Sequence, residues 1–378
     1  VVAGGVSFAY LAELTWMALT HRWLTDANGH PLAADFLSFW SAGLLAWGGH
    51  GPQAYDWSIM HAFQGQLMHH TAGGFLGWAY PPLFFALATP LARLPSGAAF
   101  LVWLVAGFAF YAASIAAITR DRRMVLLALA APASLACMVA GQNGFLTAAL
   151  MAGVLLQLDV RPVLAGLLLG FLTYKPHFGL LFPVALLFGG YGRAFAAATF
   201  SALAVLLLSW LIMPDSLAAF AHHLGGMSHD FLSQGSAGFY KLQSLYGVLR
   251  TAGISDGAAF AAQGVLSLAM AGFTAWLWRN EKDLALRSAG LCAATLLVTP
   301  YLFLYDFPVL AVAIAFLWRA RPFDGIETAL PILSQLALAA FVVASIPTGF
   351  IASLLTLAVV IRRAIAPAIR TAPLAQPA

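Results

Sequence analysis

The stretch Ala34-Asp35-Phe36-Leu37-Ser38-Phe39-Trp40-Ser41-Ala42-Gly43 places a single carboxylate at the head of a run of large apolar and small residues. The large apolar side chains recur at helical spacing and share one face: Phe36, Leu37, Trp40, Leu44 and Trp47. This spacing predicts an amphipathic helix in a membrane interface, with its Trp rings at the level of the headgroups. Asp35 suits either a helix N-cap or a functional carboxylate.

The composition of the whole chain is that of a polytopic membrane protein. Of its 378 residues, 62% are hydrophobic and 8% are charged, whereas soluble domains carry about 25% charged residues. The formal net charge is +4, but the basic residues lie between apolar segments and do not form a cluster. No nucleic-acid partner is therefore expected. Cys137 and Cys292 lie inside apolar segments, so no disulfide is expected either.

The order of apolar segments predicts one all-α integral domain over residues 1–378, with about twelve membrane spans. Two long outer loops interrupt it, at about 21–96 and about 214–256. At a rise of about 1.5 Å per residue, the run 83–94 is too short for a hydrocarbon core of roughly 30 Å. It is therefore expected to be re-entrant or interfacial, with a short tilted span as the alternative. The predicted spans are 1–20, 97–118, 124–140, 144–158, 162–174, 178–190, 194–213, 257–278, 284–300, 307–318, 326–343 and 348–361.

The basic residues indicate the orientation of this domain. With the N-terminus inside, thirteen of the 18 Lys and Arg residues lie in cytoplasmic loops, as the positive-inside rule requires. The polar clusters that interrupt apolar runs then all fall on the outer side, and so do the ten His residues. Because distant segments converge on one surface, we expect a site between helices there. The outer basic residues are Arg22, Arg93, Lys175, Lys241 and Arg250.

Two of these polar clusters interrupt apolar segments in the first half of the chain. Lys175 lies before Pro176, which disfavours a continuous helix, and its ammonium suits either a phosphate contact or a snorkelling position at a helix end. Gln142 and Asn143 are flanked by Gly141 and Gly144, so they suit either sugar hydroxyls or a diphosphate-like head, or a polar turn between helices.

Two further clusters lie in the second half. Asp306 offers a second carboxylate, either as a base or as the cap of the next helix. Lys241 and Arg250 flank an i, i+3, i+4, i+7 apolar stripe that predicts a second interfacial helix, and their charges suit lipid phosphates in general or one donor phosphate. A metal site is not expected, because the candidate ligands follow no known zinc spacing: His61, His69, His70, His222 and His223.

The motifs together resemble glycosyltransferase family 87, which comprises bacterial integral-membrane enzymes related to polyprenyl-phosphate-mannose-dependent mannosyltransferases. The resemblance extends from Asp35 to about Leu317 and depends on the order, spacing and shared sidedness of the motifs. The motifs are Asp35-Phe36 with Phe39-Trp40-Ser41-Ala42-Gly43, Tyr55-Asp56, Tyr80-Pro81-Pro82, Gly141-Gln142-Asn143-Gly144, Tyr174-Lys175-Pro176-His177, and Thr299-Pro300-Tyr301 with Tyr305-Asp306.

This resemblance implies a GT-C fold, in which transmembrane helices and interfacial helices of the first outer loop enclose a periplasmic site at the bacterial inner membrane. The family's base, an Asp early in the first outer loop, matches Asp35, and its Lys-Pro lysine, taken to contact the donor phosphate, matches Lys175. The mannoside-forming members have a His near the outer end of a late helix. Residues 301–306 contain none, so His177 or Arg250 is the expected substitute, and both are expected to bind the donor phosphate with Lys175.

The expected function is therefore that of an inverting glycosyltransferase. It moves a sugar, mannose or another hexose, from a polyprenyl phosphate to a lipid or glycan acceptor, with no cofactor. The alternative is a flippase or transporter of a lipid-linked sugar, which broken helices and a polar cavity also suit. The expected substrate-binding residues are Tyr80, Gln142, Asn143, Lys241, Gln243, Tyr301, Tyr305 and Asp306.

Overall fold

The computed structural model describes residues 2–69 and 76–365, and this part of the chain is all-helical. In order along the chain, its α-helices are α1 (Val2–Leu19), α2 (Phe36–Trp47), α3 (Trp57–Met68), α4 (Phe85–Leu91), α5 (Ser96–Thr119), α6 (Arg122–Leu129), α7 (Pro132–Ala140), α8 (Gly144–Gln157), α9 (Pro162–Phe171), α10 (Phe182–Phe188), α11 (Gly192–Ile212), α12 (Pro214–Ser228), α13 (Leu245–Thr251), α14 (Asp256–Asn280), α15 (Leu284–Val298), α16 (Pro308–Ala320), α17 (Gly325–Ala344) and α18 (Gly349–Ile365).

Three of these helices, α5, α11 and α14, are long and apolar enough to cross a membrane, at 24, 21 and 25 residues. The helices α6 and α7 pass the same test as a pair that is bent by 60°, with Pro132 at the first position of α7. The chain is therefore a membrane protein. The other predicted spans coincide with helices that are shorter or less apolar, so the count of twelve stays a prediction.

The helix α15 forms the centre of the fold. All of its residues are buried except Leu284 and Arg287 at its first turn. It packs against α14, α16 and α18. The outer helices α5, α11 and α14 instead expose large apolar side chains, such as Val105, Leu206 and Leu268, as helices that face lipid do.

Small residues bring α9 and α11 into close contact. A Cβ added at Gly166 would lie 2.3 Å from the Ala194 carbonyl oxygen, and one added at Gly170 would lie 2.1 Å from Ser201 Oγ. Ser201 Oγ donates a hydrogen bond across this contact to the Leu167 carbonyl oxygen at 3.0 Å. The pair thus uses the small-xxx-small packing of membrane helices, which depends on close approach of backbones.

The amphipathic helix predicted after Asp35 forms as α2, but its packing differs from the expectation. Its large apolar residues Phe36 and Leu37 are buried, and so are Ser38 and Ser41. Two helices cover its small residues. The backbone of α4 lies so close that a Cβ on Gly43 would be 2.3 Å from the Ala88 carbonyl oxygen, and Ser41 Oγ accepts a hydrogen bond from Gln64 Nε2 of α3 at 3.2 Å. The helix α2 is therefore enclosed in the protein on more than one side.

The second long loop contains more helix than the apolar stripe predicted. The stripe forms α13, which begins at Leu245 because Ser244 Oγ accepts a hydrogen bond from the Gly247 backbone N–H at 3.1 Å. Before it lie α12 and a π-helical turn, His229–Ser233. The sequence did not indicate α12, since His222, His223 and two glycines interrupt its apolar pattern.

Candidate active site

One cavity of about 600 Å³ collects most of the polar clusters that the sequence singled out. It lies between the head of α2, the α7–α8 turn, the break after α9, and the segments that precede α13 and α16. Its lining residues are Asp35, Ser38, Leu76, Gly77, Ala79, Tyr80, Ala136, Gln142, Lys175, Phe231, Ser236, Ala237, Lys241, Tyr301, Phe303, Leu304, Tyr305 and Phe341.

Asp35 directs its carboxylate into this cavity and does not cap α2, because its side chain accepts no backbone hydrogen bond from that helix. Its Oδ2 instead accepts a hydrogen bond from Gln142 Nε2 at 3.0 Å. Burial raises the pKa of Asp35 above its ordinary value, although the Gln142 hydrogen bond and the charges of Lys241 and Lys175 oppose the rise. The carboxylate is therefore a stronger proton acceptor than a solvated aspartate.

The turn between α7 and α8 fixes Gln142 beside Asp35. Gly141 has a φ of +67°, and a Cβ there would lie 2.7 Å from the Cβ of Phe36, the first residue of α2. Glycine meets both demands, since it tolerates positive φ and leaves room for Phe36. Gln142 Oε1 then accepts a hydrogen bond from the Tyr80 hydroxyl at 3.2 Å, which orients the amide so that its nitrogen faces Asp35.

Lys175 lies in the break between α9 and α10, and the charge of its ammonium is already balanced by a carboxylate of the protein. It forms an ion pair with Asp306 Oδ1 and donates to Asn143 Oδ1 at 2.8 Å. It also lies over the rings of Phe178 and Tyr305, with Nζ 5.3 and 5.6 Å from their centroids. Only 5% of the residue is exposed. This is an internal ion pair at the cavity wall, which is not the snorkelling arrangement.

Both carboxylate oxygens of Asp306 already have partners within the protein. While Oδ1 pairs with Lys175, Oδ2 accepts the Phe303 backbone N–H at 3.0 Å and closes the turn Leu304–Asp306. The residue is completely buried. Its geometry is that of a structural anion and turn cap, so it is less suited than Asp35 to receive a proton from a substrate.

The cavity is also lined by aromatic rings and by one exposed cation. Tyr301 and Phe303 lie just before the turn Leu304–Asp306, which contains Tyr305, and the rings of Phe303 and Tyr305 stack with centroids 5.3 Å apart. Lys241 faces the same cavity from the second long loop, and it is exposed. Such a surface offers π faces and hydroxyls to a sugar and a positive charge to an anion.

Five of the residues predicted to bind the donor phosphate or the substrate are not among the described residues that line the cavity: Asn143, His177, Gln243, Arg250 and Asp306. Asn143 holds Lys175 from behind the wall. The His177 ring meets Tyr301 edge to face, with centroids 5.8 Å apart. Arg250 donates to the carbonyl oxygens of Ile254 and Ser233 at 2.9 and 3.1 Å. Direct substrate contact by these residues stays a prediction.

Several lining residues were not predicted. Ser38 follows Asp35 by three positions on α2, so helical spacing alone could have indicated it. Ser236 and Ala237 lie between Gly235 and Gly238, whose φ values are +63° and +89°, and these glycines were the available sign of a shaped loop. Phe341 comes from the apolar helix α17, and no local pattern distinguishes it from its neighbours.

The His, Cys, Asp and Glu side chains of residues 2–69 and 76–365 form no metal centre. Within these ranges, no group of three or more His, Cys, Asp or Glu side chains is arranged to hold a metal ion. His70 lies outside the described residues.

The fold and the cavity define an all-helical membrane protein with an internal polar site. A sequence model of glycosyltransferase family 87 matches residues 78–300, which is more than half of the chain. The chain belongs to this family, as the motifs predicted, and it is a membrane glycosyltransferase. No curated protein and no solved structure matches the chain. The matched segment contains Gln142 and Lys175 but neither Asp35 nor Asp306, so the role of Asp35 depends on its position in the cavity.

Proposed function

We propose that this chain is an inverting glycosyltransferase of the GT-C type, with Asp35 as its general base. It transfers a hexose from a polyprenyl phosphate to a hydroxyl of a lipid or glycan acceptor, at a periplasmic site in the bacterial inner membrane. One observation carries the proposal. Among the described residues that line the cavity, Asp35 is the one acid, and the salt bridges of the described chain do not include it.

The reaction requires one base. Gln142 occupies Oδ2 of Asp35 and leaves Oδ1 for the acceptor hydroxyl. As that hydroxyl attacks the anomeric carbon, its proton moves to Asp35 and the bond from the anomeric carbon to the phosphate oxygen breaks. A single displacement from the opposite face inverts the anomeric centre, and it needs no second carboxylate as nucleophile. Asp306 is accordingly free to serve as a structural anion.

The leaving group is already ionised. A polyprenyl phosphate departs as an anion near neutral pH, so no general acid is required. Cations at the cavity wall stabilise the charge that develops on the phosphate oxygens, in a space with little competing water. Lys175 and Lys241 are the basic residues that line the cavity in the described chain.

The sugar fits the aromatic side of the site. Tyr80, Tyr301 and Tyr305 line the cavity with ring faces and hydroxyls. A hexose presents apolar C–H faces and a rim of hydroxyls, so it can stack on the rings while its hydroxyls find polar partners such as Gln142.

The test is a transfer assay with purified protein and a panel of polyprenyl-phosphate sugars that carry a radiolabelled hexose, with a bacterial lipid extract as acceptor. We expect label to move from at least one donor to a new product, with an anomeric configuration opposite to that of the donor. Transfer from nucleotide sugars alone would overturn the donor class, and a retained configuration would overturn the single displacement. Carrier movement across proteoliposomes without product would support the flippase.

A further inference from the structure

The two lysines that line the cavity differ in their surroundings. Lys175 is buried, and its charge is balanced by Asp306. Lys241 is exposed, and the salt bridges of the described residues do not include it. Its nearest aromatic contact is loose, with Nζ 5.9 Å from the centroid of the Tyr240 ring. The cavity therefore has one cation that is already neutralised and one that is available to an incoming anion.

The backbone that carries Lys241 is held in place by Gln243, which is completely buried. Its Nε2 donates to the carbonyl oxygens of Tyr240 and Lys241, both at 3.2 Å. Its Oε1 accepts the Gly349 backbone N–H at 2.8 Å, at the start of α18. Its own backbone N–H donates to the Leu302 carbonyl oxygen at 2.7 Å, next to Tyr301. Gln243 thus joins the Lys241 turn to the start of α18 through its side chain and to the segment next to Tyr301 through its backbone.

The far end of the same segment is tied down as well. Arg250 Nη2 donates to the Ser233 carbonyl oxygen at 3.1 Å, and the Tyr246 hydroxyl donates to that of Leu232 at 2.9 Å. Between these anchors the Lys241 backbone N–H closes a turn on the Gly238 carbonyl oxygen at 3.0 Å. The backbone is fixed at both ends, while the exposed Lys241 side chain keeps its rotamer freedom.

Lys241 also acts on the proposed base. Burial is the largest influence on the pKa of Asp35 and raises it, whereas the charge of Lys241 lowers it, more than that of Lys175 does. The Lys241 ammonium and the Asp35 carboxylate therefore act in the same space. This arrangement places a cation and a base around one substrate, as a displacement with an anionic leaving group requires.

We infer that Lys241 is the side chain that directly binds the donor phosphate, and that Gln243 is a positioning residue for it. The inference rests on the proposed function and names the phosphate contact within that site. Lys175 then acts within the cavity wall, where its pair with Asp306 fixes the turn that carries Tyr305.

Binding of a polyprenyl monophosphate in detergent micelles, measured by titration calorimetry, tests this directly. We expect Lys241→Ala to raise the Kd roughly tenfold or more, since it removes a charge-assisted hydrogen bond to the phosphate. Lys241→Arg should restore most of the affinity, and the matched control Lys282→Ala, at an exposed lysine between α14 and α15, should leave it unchanged. Unchanged binding by Lys241→Ala, or no binding by the wild type, would overturn the inference.

A competition arm separates the donor from membrane lipid. An excess of phosphatidylglycerol should leave the bound polyprenyl phosphate in place. If that phospholipid displaces it, Lys241 binds lipid headgroups in general and the assignment to the donor fails. The sugar-transfer assay tests the proposed function separately. If binding depends on Lys241 but no sugar is transferred, the proposed function is wrong and the phosphate site is retained. If sugar is transferred but binding does not depend on Lys241, the proposed function is retained and the inference about Lys241 is wrong.

The role of Gln243 is tested by a double-mutant cycle on the same Kd. Gln243→Met keeps the volume of the side chain and removes its hydrogen bonds to the Lys241 turn. We expect Gln243→Met to raise the Kd when Lys241 is present and to raise it little further in the Lys241→Ala background, because both substitutions remove the same contact between Lys241 and the phosphate. Fully additive losses would show that Gln243 acts independently of Lys241. If Gln243→Met does not fold, Lys241→Ala still decides the phosphate contact.

Discussion

At the scale of single residues, Gln142 and its neighbour Asn143 hold the charged side chains of the cavity in place. Its amide joins the Tyr80 hydroxyl to the Asp35 carboxylate, and the next residue, Asn143, holds Lys175. One turn thus sets the orientation of the Asp35 carboxylate and of the Lys175 ammonium. Glutamine suits this position because its two ends have opposite hydrogen-bonding roles, one towards a donor and one towards an acceptor.

The variant Gln142→Leu should change the pH dependence of transfer. The proposed base, Asp35, can accept a proton only when it is deprotonated, so activity should be lost as pH falls through its pKa. Because burial raises this pKa, the loss should begin at a higher pH than for an ordinary Asp. Without the Gln142 hydrogen bond the carboxylate is less stabilised, and the acid limb of the kcat/KM profile should move to higher pH. Gln66→Leu, at an exposed position on α3, is the control. A limb that stays in place would argue against Asp35 as the titrating base.

The sequence indicates residue types at this scale better than it indicates their partners. Asp35 and Lys175 could be predicted, because a charged residue at a helix break in an apolar chain is conspicuous. Their contacts could not be: Gln142 is 107 positions from Asp35, and Asp306 is 131 positions from Lys175. The ion pair became evident only when the fold brought α7, α9 and the segment before α16 together.

At the scale of helices, close backbone contacts decide where the site residues lie. The first residue of α8, Gly144, lies so near the segment before α16 that an added Cβ would be 1.8 Å from the Tyr305 carbonyl oxygen. This contact positions the α7–α8 turn against the aromatic wall of the cavity. The same principle explains α2, whose small residues accept α4, so periodicity of large side chains alone predicted too little burial.

The variant Gly144→Ala should therefore destabilise the protein and disturb the site. An atom forced into a packed contact costs about 1–3 kcal/mol. We expect a lower Tm in detergent and reduced transfer. The control is Gly153→Ala in the same helix, where the added Cβ would meet Leu168 at an ordinary 3.7 Å. Since Ala favours helix over Gly, this control should be neutral or slightly stabilising. Equal Tm values for the two variants would contradict the packing account.

At the scale of the whole molecule, composition and charge placement indicated the class of protein. The chain is an all-helical membrane glycosyltransferase, as the apolar segments and the motifs predicted. The number of spans was harder to derive, because α8, α9 and α15 are shorter than a membrane is thick. Helices buried in protein need neither the length nor the uniform apolarity of a lipid-facing span, so hydropathy alone does not separate the two kinds.

The orientation of the molecule is a separate prediction. In a background of Cys137→Ala and Cys292→Ala, a single cysteine at Ser236, in the cavity loop, should react with a membrane-impermeant maleimide added to intact spheroplasts. A cysteine at Asn280, at the end of α14, should react only after the membrane is permeabilised. Both positions are exposed, so access to the reagent depends on the side of the membrane. The reverse labelling pattern would invert the topology and place the cavity in the cytoplasm.

The most direct test of the central claim is the turnover of Asp35→Asn compared with wild type, with donor binding measured on the same preparations. Asparagine keeps the size of the side chain and removes the base, so turnover should fall by roughly 10²–10⁴-fold while the Kd for the polyprenyl phosphate changes little. Asp215→Asn, at an exposed acid in the first turn of α12, should behave as wild type. Near-wild-type turnover in Asp35→Asn would show that Asp35 is not the base.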